Sequence, residues 1–241
     1  MGEQKRIDRF LSEAGYTRSE AREMIASGRV LVNGRPALKA GEKTDGSMVE
    51  VDGRRIEKPG PVHIMLYKPA GVVTATFDAR EKTVLSLLPE EYGKMELGPV
   101  GRLDKDVTGL VLLTTDGLLA HRLISPKWKA EKTYLAECEG SLSEEEADRM
   151  RSGIELSDFT ARPAEVIIED KSNICSIVRI TVREGKYHQI KRMFAAVGHP
   201  ILRLHRLSIG GLELDPALHE GEWRRLTREE TETLYRRTGL S

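Results

Sequence analysis

Hydrophobic positions in the first fifty residues shift from helical to strand-like spacing. Ile7, Phe10 and Leu11 recur at helical intervals, as do Ala21, Met24 and Ile25, which predicts two short amphipathic helices. Thr17 with Glu20 three residues later has the form of a capping box opening the second helix, and Gly28 suits its end. Arg18 and Arg22 would then lie on its outer face. Val30–Val32 and residues 48–51 read as short strands. Asn33-Gly34 reads as a tight hairpin turn, and Asp52-Gly53 closes the second strand. Residues 54–61, with charges, two prolines and a glycine, read as a linker.

Beyond it, strands and helices mix. Residues 62–67, 110–113, 133–136, 166–168 and 177–182 are apolar or alternating runs expected to be strands. Helices are signalled at Ser143 with Glu146, across 187–197, and at Thr227 with Glu230. Strands follow strands without a regular βαβ rhythm. The expected fold class is therefore α+β: a mixed, largely antiparallel sheet with flanking helices, preceded by a small α-helical and β-hairpin domain. The division is placed at 1–58, including the linker, and 59–241.

Composition narrows the class without naming a function. No apolar run approaches the roughly 20 residues that span a bilayer, and MGEQKRIDRF has no apolar stretch of a secretory signal. Arg6 stands where a myristoylation motif wants Ser or Thr. Cys138 and Cys175 are the two cysteines, too few for a disulfide scaffold, so a cytoplasmic location is expected. The formal net charge is +0, which weighs mildly against a nucleic-acid partner. Its distribution is uneven, however. Arg179, Arg183, Lys186, Lys191, Arg192, Arg203 and Arg206 face a single acid, Glu184, between 179 and 206. A neutral chain can thus present one positive face. Separate solvated faces would give the same pattern, and charge alone decides nothing.

Two stretches carry candidate chemistry. Gly98-Pro-Val-Gly-Arg-Leu-Asp-Lys-Asp-Val-Thr-Gly109 sets Arg102, Asp104, Lys105, Asp106 and Thr108 among glycines just before an apolar strand. A polar loop held by rigid neighbours can aim a carboxylate at a substrate. Such a loop equally serves as surface structure whose acids cap their own turns. In Glu184-Gly-Lys-Tyr-His-Gln-Ile-Lys-Arg-Met-Phe-Ala-Ala-Val-Gly198, helical geometry places His188, Lys191, Arg192 and Ala195 on one face, with Ile190, Met193, Phe194 and Val197 opposite. An ordinary amphipathic helix with a wet face fits as well. No HExxH spacing, phosphate loop or GxGxxG is present.

Gly101-Arg-Leu-Asp-Lys-Asp-Val-Thr-Gly-Leu-Val-Leu-Leu-Thr-Thr-Asp-Gly117 closely resembles the signature of the bacterial ribosomal small-subunit pseudouridine synthases and their large-subunit relatives. Leu66-Tyr-Lys-Pro-Ala-Gly71 resembles the strand that opens that family's catalytic domain. Glu131-Lys-Thr-Tyr134 resembles the motif of its active-site tyrosine, and 184–194 that of its active-site basic residue. Residues 5–52 resemble the small RNA-binding domain first seen in ribosomal protein S-four. Four motifs in order cover nearly the whole chain.

The resemblance implies that Asp104 is the essential aspartate, Tyr134 the tyrosine that stacks on the target base, and Lys191 the cation paired with the aspartate. Many relatives carry Arg there. Arg102 matches the arginine associated with holding the flipped nucleotide or its phosphate. Arg6, Ser19, Arg22, Arg29 and Asn33 match the N-terminal domain's RNA-binding pattern, with Glu20 where relatives often have Arg. His188 and Arg192 are further RNA-binding candidates. The wording from Tyr187 to Met193 is nearest the small-subunit enzyme, since large-subunit relatives more often show Arg or Asn at the position of His188. The implied substrate is 16S rRNA in a pre-ribosomal particle, acted on by a monomer without metal or organic cofactor.

Those residue types suit the chemistry. Pseudouridine formation breaks the ribose C1′–N1 bond, turns the base and rejoins it through C5. An ionised carboxylate can attack the sugar or take a proton from it, and a neighbouring cation favours that ionised form. The base must first leave its stack at a cost of about a few kcal/mol. Other expectations stay open at this point: the same reaction on 23S rRNA, and a non-catalytic ribosome-assembly factor using the same groove. A hydrolase built on an Asp104–Asp106 pair is a weaker fit, because residues two apart in a loop need not converge on one bond.

Overall fold

The computed structural model describes residues 4–45, 48–56, 60–93 and 95–240. By internal contacts the chain forms two compact units, Met1–Pro61 with Pro89–Leu97, and Val62–Leu88 with Gly98–Ser241.

In the first unit, β1 (Lys5–Arg6) leads into α1 (Ile7–Glu13) and α2 (Arg18–Ala26), followed by β2 (Val30–Val32), β3 (Arg35–Pro36), β4 (Lys43–Thr44), β5 (Val49–Val51) and β6 (Arg54–Ile56). The Thr17 capping box forms in both directions. The helical apolar positions, from Ile7 through Ile25, bury against Val30, Val32, Val49 and Val51. The small sheet runs β3-β2-β5-β6, and β1 pairs with β4. Asn33 and Gly34 both take positive φ in the β2–β3 turn, the geometry that type I′ hairpins require. The second such turn, at Asp52-Gly53, corrects the expected linker. It folds 54–56 back onto β5 as a fourth strand. Arg54 and Arg55 are exposed, so pairing through the backbone left no apolar alternation to read. Residues 57–59 of the expected linker lie outside the described residues. The segment Pro89–Leu97 contains α3 (Glu90–Gly93) with Tyr92 buried.

The second unit is built on β7 (His63–Lys68), β8 (Gly98–Pro99), β9 (Thr108–Thr114), β10 (Lys132–Glu139), β11 (Ile154–Glu155), β12 (Thr160–Ala161), β13 (Glu165–Lys171), β14 (Cys175–Val182), β15 (Ile201–Ile209), β16 (Leu212–Glu213) and β17 (Trp223–Arg225). Its helices are α4 (Gly117–Ile124), α5 (Glu144–Ser152), α6 (Gln189–Ala196) and α7 (Arg228–Thr238). The main sheet runs β13-β14-β10-β15-β9-β7-β17. It is antiparallel among the described residues except where β15 lies parallel to β9. This is the mixed, largely antiparallel α+β arrangement expected.

β15 was not foreseen, although it stands at the centre of the sheet. Its inward positions include a fully buried arginine, Arg206, and charged residues at 203, 205 and 206 obscure the strand period. The parallel crossing also explains Gly109, which has φ +103. A Cβ there would stand 2.3 Å from the Arg206 carbonyl oxygen, so no side chain fits where the two backbones meet. One face of the sheet packs Met65, Leu110, Leu112 and Ile209 against Leu119, Leu123 and Leu234 from α4 and α7. On α6, Ile190, Met193 and Phe194 are buried. Each such side chain contributes about 1.5–3 kcal/mol on leaving water.

Candidate active site

Asp104 sits in the loop that joins β8 to β9. The loop's ends are pinned because β8 and Val100 pair back onto β9. Its interior is held from the neighbouring 68–82 segment. The Lys68 ammonium is fully buried and donates to the carbonyls of Pro69 at 3.0 Å, Lys105 at 3.2 Å and Val107 at 2.7 Å. The Gly71 amide donates to Lys105 O at 2.8 Å. The Thr74 hydroxyl donates to Leu103 O and accepts from Leu103 N. At the surface, Lys105 pairs with Glu81 at 2.8 Å. The carbonyls of Leu103, Asp104, Lys105 and Val107 are all hydrogen-bonded, so the backbone that carries Asp104 is held in place. Burial pushes the Lys68 pKa down to about 8, against the opposing pull of Asp106 and Asp104.

Lys191, from the first turn of α6, reaches this carboxylate. Its ammonium lies 3.2 Å from Asp104 Oδ2 and donates to both oxygens of Asp106 at 2.8 Å. Burial works against its charge, but the two carboxylates outweigh burial and its pKa is raised. The Lys191 hydrogen bond in turn holds Asp106 below the usual carboxylate range, against some desolvation. His188 Nε2 stands 3.4 Å from Asp104 Oδ2.

His188 is not on the helix face where spacing put it. It precedes α6 in the left-handed region, φ 49 and ψ 27, a conformation costing on the order of 1 kcal/mol or more for a non-glycine residue. The left-handed turn swings its imidazole to Asp104 and leaves it stacked on Tyr187, with ring centroids 3.8 Å apart and 18° between planes. Two buried side chains close the turn: the Glu184 carboxylate accepts from Gln189 Nε2 at 2.7 Å and from the Arg162 amide at 2.9 Å. Gln189 Oε1 accepts from the Lys186 amide at 3.1 Å. Arg192 also departs from the expected grouping. It turns away to Ser157 and Asp158, with its guanidinium over Phe159.

The structure thus brings Asp104, Lys191 and His188 together. Tyr134 stands on β10 directly between Ile180 of β14 and Arg206 of β15, nearly buried and without a side-chain hydrogen bond among the described residues. Beside it Arg206 donates from Nε to Leu110 O at 2.7 Å, while its Nη2 is buried without a partner among the described residues. Lys132, also buried, has its pKa lowered to about 8 by burial and then by the Arg206 charge. Arg102 is exposed and unpaired among the described residues. In the N-terminal unit, Arg6 and Arg22 line a concavity of about 370 Å³ with Arg9, Arg18, Ser12, Asp8 and Glu96. Ser19 is exposed on α2. Arg29, paired with Asp52 at 2.5 Å, and Asn33 lie at opposite ends of β2, outside that concavity.

Sequence reasoning missed the Lys68 strut, the share of Lys191 taken by Asp106, and the Glu184–Gln189 clasp. Lys68 and Asp106 stood inside quoted motifs, but their partners are distant along the chain. Gln189 carries no local sign of burial. No group of three or more His, Cys, Asp or Glu side chains suited to a metal ion occurs among the described residues.

Residues 62–196 match the RNA pseudouridylate synthase family, and residues 5–49 match the S4 domain. The chain is 40% identical to the uncharacterized RNA pseudouridine synthase YtzG of Bacillus subtilis, over 95% of this chain and 98% of that protein. It is 42% identical to the ribosomal small subunit pseudouridine synthase A of Escherichia coli, over 93% of this chain and 97% of that one. A crystal structure of a pseudouridylate synthase superposes with a TM-score of 0.68 at 35% identity, covering 95% of this chain and 99% of that one. Fold and sequence agree on the class, an RNA-modifying isomerase with an S4 domain ahead of its catalytic unit. The chain belongs to the RNA pseudouridylate synthase family.

Proposed function

We propose that the enzyme converts a uridine of small-subunit, 16S ribosomal RNA to pseudouridine, with Asp104 as the acting carboxylate. The observation that carries this reading is the holding of Asp104: its loop is tied down by Lys68 and Thr74, and Lys191 and His188 both face its carboxylate. A fixed carboxylate beside a fixed cation is poised for charge developing on the ribose. The C1′–N1 bond breaks and a C1′–C5 bond forms. The C5 proton is lost and N1 gains one, so the reaction is a balanced isomerisation. Attack on C1′ and proton removal from the sugar both need the carboxylate in this place. Tyr134 is assigned to stacking on the target base, Arg102 to the flipped nucleotide, and Arg192 to the flanking RNA. Arg6, Ser19, Arg22, Arg29 and Asn33 are assigned to RNA contacts of the S4 domain.

The choice of the small subunit is supported by Tyr187-His188 and by relatives of that name. A Vibrio vulnificus ribosomal small subunit pseudouridine synthase A is 41% identical over 96% of this chain, whereas a Bacillus subtilis ribosomal large subunit pseudouridine synthase B is 36% identical over 95%. The two free cysteines suit a cytoplasmic enzyme, acting as a monomer on a pre-ribosomal particle. The test is to map pseudouridine in rRNA from cells lacking the protein, and then from cells given back either wild type or Asp104→Asn. One 16S position should lose its modification and regain it with wild type alone. A lost 23S position would move the substrate to the large subunit. An unchanged map, or rescue by the Asn variant, would overturn the assignment.

A further inference from the structure

Tyr187 is 76% exposed, yet it stands on a turn closed by buried side chains. Glu184 and Gln189, both buried, clasp the turn from inside. His188 adopts a left-handed conformation that holds its ring against Tyr187 on one side and within 3.4 Å of Asp104 on the other. A single exposed aromatic ring is ordinary by itself; what marks this one is its place, stacked on the histidine that faces Asp104. One ring face is covered by His188, which leaves the other free to stack. Lys186, adjacent in sequence, is turned to Phe159 with its ammonium 3.9 Å from the ring centre, and Lys191, in the first turn of α6, is held by Asp106 and Asp104. An exposed aromatic face beside the candidate active site matches single-stranded nucleic acid, whose bases stack on such rings.

We propose that Tyr187, backed by His188, is a stacking platform for the base next to the target uridine. Flipping the uridine removes one partner from that neighbour's stack, and the Tyr187 ring replaces it beside the carboxylate. The platform rests on the functional reading above. It differs in role from Tyr134, which is buried on β10 and assigned to the target base itself.

The test uses the full-length protein and small-subunit particles from cells lacking it. Tyr187→Ala should raise KM about tenfold or more, the range for losing one base–aromatic stack, and move kcat far less. Tyr187→Phe should restore wild-type KM, since the ring and not the hydroxyl does the stacking. An unchanged KM in the Ala variant, or a Phe variant as impaired as Ala, would overturn the platform. The Tyr187→Trp variant reads stacking without turnover, because an indole stacked on a base loses fluorescence. Quenching by the particles beyond that of the wild type is expected, and no added quenching refutes the proposal. A wild-type enzyme that leaves every uridine unchanged sinks the functional reading, while the quench still judges the platform.

Discussion

Lys191 faces two carboxylates at once, and distances separate its tasks. It is closer to Asp106, at 2.8 Å, than to Asp104, at 3.2 Å. Asp106 is largely exposed whereas Asp104 is more enclosed, so solvent screens the first pair more than the second. On the proposed reaction, Asp106 serves mainly to hold the lysine in place, and the longer contact, to Asp104, is the one that bears on the chemistry. Lys191→Met would remove the cation from both acids and leave them repelling each other. On the proposed reaction it should lower kcat by about 10²-fold, the scale of one lost preorganised charge contact, and change RNA affinity by less than about threefold. Single-turnover kinetics with filter binding would check this. Equal losses in rate and affinity would reduce Lys191 to a phosphate contact. The identity of both residues was legible in the motifs, but the share of Lys191 taken by Asp106 was not.

Elements divide by how local their signals are. The helices opened by Thr17, Ser143 and Thr227 were readable because each capping box spans four residues and forms as written. β15 was not, since what makes it a central strand is pairing with β10 and β9, far away in sequence. Its key neighbour is Gly109, where β9 and β15 meet too closely for a Cβ. Gly109→Ala should destabilise the fold by about 3 kcal/mol or more, combining an overpacked contact with an unfavourable positive φ. A urea midpoint close to that of wild type would show that the crossing can yield. The same crossing sets Arg206 beside Tyr134, so that variant should also lose activity in proportion to its native-state distortion.

At the scale of the whole chain, the zero net charge proved a poor guide. Basic residues gather in local settings, the concavity around Arg6 and Arg22 in the first unit and the α6 entrance in the second, and averaging hides both. Each unit has its own buried core. Deleting residues 1–58 should therefore leave a folded catalytic sheet that binds RNA more weakly and with a shallower salt dependence, because fewer phosphates are neutralised. Circular dichroism and salt titrations of binding would check both parts, and an unfolded remainder would overturn the division.

By itself, the sequence determined what is short-range: the caps, the glycine turns, the helical stripe of α6, and the motifs that single out Asp104, Tyr134 and Lys191. Folding decided how these residues meet. Lys191 lies 85 residues from Asp106, and the buried Lys68 reaches across to Val107 at a separation of 39. Such distances are set by strand register and by the rotation of α6 on the sheet, which no local pattern encodes. The same holds for His188, placed on a helix by spacing and moved to Asp104 by a left-handed turn that Glu184 and Gln189 clasp from within.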